Sequence, residues 1–95
     1  MNKRDREILG RYHQYLTEKE LKPLYESFEQ WNAGDLDYDE LTERIHVFHK
    51  KNQQIWSTFN GVIEEDYLIF QAKKEMNLLN EEDLTNQLYR RWLGL

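Results

Sequence analysis

Cysteine is missing from the 95 residues, which excludes a disulfide framework, thiolate chemistry and a cysteine-ligated zinc ribbon. Glycine occurs four times and proline once; glycines so scattered make no phosphate-cradling loop, so nucleotide binding by that route is excluded. The longest uninterrupted apolar run is Tyr67-Leu68-Ile69-Phe70, far short of the ~20 residues that a membrane span needs. Basic residues near the start are not followed by an apolar stretch, so no signal peptide is read and a cytoplasmic location is expected. An excess of positive charge is missing too, with 13 Lys and Arg against 18 Asp and Glu. No broad field therefore draws the chain onto nucleic acid.

What remains describes a single helical domain over residues 1–95. Ile, Leu, Val and Phe make up about a quarter of the chain, above the roughly 20% below which disorder is expected. Six tyrosines and three tryptophans add bulk. The apolar spacing is helical almost throughout. Ile8, Leu9, Tyr12, Tyr15 and Leu16 form one stripe and Leu21, Leu24, Phe28 and Trp31 a second. On one continuous helix the second stripe would sit about 150° around from the first. Pro23, which lacks an N–H for Lys19, stands at the join, so a break near Lys22 and a new helix from Pro23 are expected.

Gly34 suits a left-handed helix end. Asp37 with Glu40 has the form of a capping box that opens a third helix. In that helix Tyr38, Leu41, Ile45, Phe48, Asn52, Ile55 and Phe59 make a seam interrupted only by Asn52. Asn60-Gly61 closes it. A fourth helix is apolar on more than one side, with Val62, Ile69, Ala72 and Met76 on one face and Ile63 and Tyr67 away from it. Asn77 reads as a left-handed cap, and Asn80 as the N-cap of a last helix anchored by Leu84, Leu88 and Trp92. The expected fold is all-α, a compact bundle of four to five helices over about 3–20, 23–33, 38–59, 62–76 and 81–93.

The middle of the chain resembles a group of small bacterial proteins that carry no assigned activity. The resemblance rests on Tyr25, Phe28, Trp31, Gly34-Asp35, Glu40-Leu41, Ile45-His46-Val47-Phe48-His49 and Ile55-Trp56, and covers about residues 24–83. It implies a bacterial, helical, stand-alone domain and brings no catalytic residue or cofactor.

One spacing suggests a site. Glu43, His46 and His49 stand three apart, so they share a helix side where a carboxylate and two imidazoles could bind a divalent metal. Glu-x-x-His is half of a di-iron signature, and the chain has no second such pair. The plainer reading is two surface histidines away from the core seam, with Glu43 as the neighbour of His46. His13 has no partner in sequence. Asp35, Asp37 and Asp39 have the spacing that opens a calcium loop, but Glu40 and His46 stand where that loop needs glycine and its closing glutamate. No nucleophile elbow is present, so no enzyme is expected and no cofactor is implied.

Lys3, Arg4, Arg6 and Arg11 make a basic N-terminal arm that could touch phosphate. Each basic pair, Lys50-Lys51, Lys73-Lys74 and Arg90-Arg91 among them, has acidic neighbours, so ordinary surface charge is the plainer account. The arm is expected to be a solvated helix start, removable through residue 7 without unfolding, because the apolar stripe begins at Ile8. The aromatic load has two readings: large side chains filling a small core, or an interface, where Trp and Tyr are enriched. Trp31, Asn52, Trp56, Ile63, Tyr67, Phe70 and Trp92 are the interface candidates, Asn52 because one polar residue in a seam can set register and assembly. The functional expectation is protein–protein interaction, with a second copy of the chain as the first partner considered. The alternatives are a metal-binding helix face, then a nucleic-acid-associated regulator; no membrane is involved.

Overall fold

A computed structural model describes residues 1–95 and shows an all-α chain. Its helices are α1 (Lys3–Asn32), α2 (Tyr38–Ser57), α3 (Glu65–Glu75) and α4 (Gln87–Leu93), and there is no strand. A π turn covers Thr58–Val62 and a 3-10 turn covers Asp83–Thr85. The residues group into two compact units, one of Met1–Tyr12 with Glu64–Leu95 and one of His13–Ile63.

The break expected near Lys22 is absent, and Pro23 lies inside α1. The offset between the two apolar stripes has another cause. Ile8 and Tyr12, in the first stripe, are buried in the first unit, whereas the residues from His13 onward belong to the second. The first stripe is thus divided, with Tyr15 and Leu16 in the second unit, and the helix stays whole through Pro23. A proline in a helix interior removes one hydrogen bond at a cost of roughly 3 kcal/mol. Here Lys19 and Pro23 are both exposed, so water can serve the freed carbonyl. Ser27 Oγ donates to the Pro23 carbonyl at 2.9 Å.

The caps follow the sequence closely. Gly34 takes φ +83° and the Asp35 N–H reaches back to the Gln30 carbonyl at 2.8 Å, a Schellman ending. Asp37 Oδ1 accepts from the Glu40 N–H at 2.8 Å. The return half of the capping box is replaced, since Glu40 Oε1 accepts instead from Arg44 Nε at 3.3 Å. Asn77 is left-handed at φ +59°, and the Leu78 N–H bonds the Lys73 carbonyl at 2.7 Å.

Two helix starts differ from expectation. Gly61 at φ +99° turns the chain, and Ile63 continues extended, so α3 begins at Glu65 and not Val62. Asn80 and Asp83 do cap each other, at 2.8 and 3.0 Å, but they open only the 3-10 turn. Asn86 then caps α4, its Oδ1 accepting from the N–H groups of Leu88 and Tyr89, so the last α-helix starts six residues later than expected.

The two units differ in how much they bury. The first buries Ile8, Tyr12, Leu68, Ile69, Phe70, Ala72 and Tyr89. Tyr67, Phe70, Tyr89 and Trp92 form one aromatic cluster with ring centroids 5.0–6.1 Å apart. Phe70, an interface candidate, is 3% exposed and therefore core, because the three other rings surround it. In the second unit the buried side chains are Leu41 and Ser27, with Leu24, Phe48 and Ile55 half-buried.

Candidate docking face on the helical hairpin

In the second unit, α1 and α2 run antiparallel through the Gly34 turn. Ser27 meets Arg44, Glu20 meets Lys51, and His13 meets Trp56. A helix with one neighbour covers only one stripe. The stripe that α1 turns toward α2 contains His13, Glu20 and Ser27, so much of its contact with α2 is polar. At about 100° per residue, Leu21 and Phe28 fall roughly 100–120° from Ser27 on the helix surface. They stay 40–42% exposed, beside Trp31 at 46%. On α2, Ile45 and Trp56 lie on the same side of the hairpin and are 38% and 52% exposed. The His13 ring sits 4.3 Å from the Trp56 ring and 5.0 Å from Phe59. His13 Nε2 and Thr17 Oγ1 are buried beneath this side without hydrogen-bond partners.

The opposite side of the hairpin carries a polar clamp around apolar residues. A groove of about 370 Å³ is lined by Pro23, Glu26, Gln30, Arg44, Val47 and Lys51, among others. Arg44 Nη1 donates to Ser27 Oγ at 3.1 Å and to Gln30 Oε1 at 3.2 Å. Lys51 Nζ pairs with Glu20 at 3.3 Å. Both cations are thus used within the hairpin, and the two sides differ in chemistry: one has internally paired polar groups around Leu24, Val47 and Phe48, the other presents apolar side chains without ion pairs.

Glu43, His46 and His49 are exposed on α2, and no group of three His, Asp or Glu side chains gathers closely enough to hold a metal ion. Asp37 is used as a cap. Of the interface candidates, Trp31 and Trp56 border the open side, Asn52 is half-buried in the α2 seam, and Ile63 is half-buried at the end of the unit. Tyr67 and Trp92 belong to the aromatic cluster of the first unit, as Phe70 does.

A buried ionic cluster in the first unit was not foreseen. Lys73, read as half of a surface basic pair, is 3% exposed. Its Nζ lies 2.9 Å from Asp83 Oδ1 and 3.1 Å from Asp5 Oδ1, and donates to Tyr89 Oη at 3.1 Å. Arg4, expected to be free in a basic arm, donates to both Asp83 oxygens at 3.1 and 3.2 Å and to the Leu78 carbonyl at 2.9 Å. Tyr12 Oη donates to Glu75 in the same unit. Burial alone would raise the Asp83 carboxyl, but hydrogen bonds from Arg4, Lys73 and the Asn80 N–H outweigh it and hold the group at about 2 against 3.8. Burial alone would lower the Lys73 ammonium, and its bonds to Asp83, Tyr89 and Asp5 raise it instead. The Arg4 guanidinium is raised chiefly by its hydrogen bonds to Asp83, against the lowering effect of burial. Two carboxylates thus face two cations, and the cluster fastens the start of α1 to α3 and to the Asp83 turn electrostatically. The signal that could have found it is positional. Lys73 follows Ile69 by four and Phe70 by three, which places it on the apolar face of α3.

No helix is long and apolar enough to cross a membrane. No protein-family model, curated protein or solved structure matches the chain, so its functional reading rests on its own residues.

Proposed function

We propose that the protein acts by docking another protein chain on the open side of the α1–α2 hairpin. One observation carries the reading. Leu21, Tyr25, Phe28, Trp31, Ile45 and Trp56 are all at least 38% exposed in a unit whose one buried large apolar side chain is Leu41. Single exposed apolar residues are ordinary, whereas a contiguous set at helical spacing is the signature of a binding surface. Leu21, Leu24, Tyr25 and Phe28 follow the i, i+3, i+4, i+7 spacing by which a helix presents anchors to a partner. Trp and Tyr within the set are the residue types that carry most binding energy when covered.

The test is site-specific photocrosslinking in cells of the native host, with the reactive group at Phe28 or Trp56 and, as control, at the outward Glu43. Discrete crosslinked species from the first two positions and none from Glu43 are expected. If neither position yields a species absent from the control, the face is not a docking surface.

A further inference from the structure

We infer that the occupant of this face is a second copy of the chain, packed antiparallel so that two hairpins form a four-helix arrangement. The inference rests on the docking reading above and names its partner. Two observations carry it, one of area and one of charge.

Six large side chains make up the face. At roughly 200 Å² for each, about half exposed, they offer roughly 600 Å² per copy. Two such faces together reach roughly 1,200 Å², the lower bound of stable, specific interfaces. A two-fold contact needs only one self-complementary patch, since each copy supplies what the other covers. Two antiparallel helices set against two more also supply what the hairpin lacks, an apolar interior shared by four helices.

Charge then fixes the orientation. Between Glu26 and Glu43, the stretch that makes the closed end of the hairpin, there are seven carboxylates and no cation. The rest of that unit carries Lys19, Lys22, Arg44, Lys50 and Lys51 against only Glu18 and Glu20. Glu26, Glu29 and Lys22 stand beside Leu21 and Tyr25, and no ion pair within the chain uses them. A parallel pair of copies would stack one acidic end on the other. An antiparallel pair lays each acidic end along the lysines of its partner, which is the complementarity that sets register and suppresses wrong arrangements.

Sedimentation velocity of the full chain, from low micromolar to a few hundred micromolar, reads the association directly. A reversible monomer–dimer equilibrium is expected, weakened as salt is added because its orienting pairs are solvent-exposed. Phe28→Glu should raise the dissociation constant at least tenfold, with helicity by circular dichroism unchanged. The orientation is tested by a charge swap. Lys22→Glu and Glu29→Lys, at positions flanking Leu21 and Tyr25, should each weaken self-association at least tenfold, and an equimolar mixture of the two should form the heterodimer. Self-association of both swapped chains at wild-type strength overturns the antiparallel arrangement. A wild-type chain that stays monomeric throughout overturns the second copy as occupant. If crosslinks from Phe28 and Trp56 then lead to a different protein, docking stands without self-association, and if they lead nowhere both readings fall.

Discussion

Lys73 is the side chain on which the first unit depends most. It is buried against two carboxylates, Asp5 and Asp83, which share its charge with Arg4. Replacing such a lysine by methionine keeps the volume and removes the cation, leaving two carboxylates with one guanidinium. Breaking a buried pair from one side costs about 3–5 kcal/mol, and urea unfolding of Lys73→Met should show a loss of that size with an unchanged slope. The same cluster gives a pH signature. The Asp83 carboxyl sits at about 2 in the folded chain and at 3.8 unfolded. Its stabilising contribution, about 2 kcal/mol, is therefore full above pH 3.8 and lost as pH falls toward 2. The Lys73 ammonium is shifted the other way, above 10.5. Its contribution is full below pH 10.5 and fades as pH rises through the raised value. Acid titration followed by circular dichroism should show a step between pH 4 and 2 in the wild type and a much smaller one in Asp83→Asn. At this scale the sequence was only partly legible. Lys73 was hidden because a Lys-Lys pair in a highly charged chain looks like surface. Its partners Asp5 and Asp83 lie 68 and 10 positions away, and no local pattern joins them.

Among the elements, those set by local chemistry could be read from sequence and those set by packing could not. Gly34, Asp37 and Asn77 each act as read, because a left-handed residue or a side-chain cap is decided within a few positions. Asn80 made its expected cap without starting the expected helix, since Asp83 turned toward Arg4 and Lys73 and the chain was recapped at Asn86. Pro23 misled because its intrinsic cost is real, while the helix around it is held within the second unit by its contacts with α2, and Lys19 and Pro23 are open to water. That cost gives a prediction: Pro23→Ala restores the N–H facing the Lys19 carbonyl in a helix that is already continuous. It should stabilise the chain by about 2 kcal/mol, less than the full ~3 kcal/mol propensity gap because proline also restricts the unfolded chain. Thermal melts read this as a rise in midpoint with unchanged helicity. If Pro23→Ala instead lowered the midpoint, the proline would be holding a bend that the second unit needs.

For the chain as a whole, the aromatic excess was legible as a division between core and interface, but not which rings belong to which. Phe70 and Tyr89 turned inward, with Trp92 half-buried and Tyr67 at the exposed edge of their cluster, whereas Trp31 and Trp56 stayed open on a hairpin too thin to cover them. The N-terminal arm reverses its expected role in the same way. Counted as charge, Lys3, Arg4, Arg6 and Arg11 were a solvated start that could be cut away. In the fold, Arg4 joins Leu78 and Asp83, and Asp5 joins Lys73, so the first residues close the first unit. Deleting residues 1–7 removes one carboxylate and one cation from the cluster of Arg4, Asp5, Lys73 and Asp83 and leaves Lys73 with Asp83 and Tyr89. Trimming an exposed helix start should move stability by no more than about 0.5 kcal/mol. Losing Arg4 and Asp5 should cost about 1–3 kcal/mol, because their partners Lys73 and Asp83 are buried and lose hydrogen bonds. Near-ultraviolet circular dichroism of the Tyr67–Phe70–Tyr89–Trp92 cluster separates the two, because weakened packing there flattens the signal while the helices persist in the far ultraviolet. Lys3→Ala and Arg6→Ala, which take away arm charge outside the cluster, should leave both signals intact. A truncated chain as stable as the intact one would return the arm to the solvent and leave the ionic cluster without structural weight.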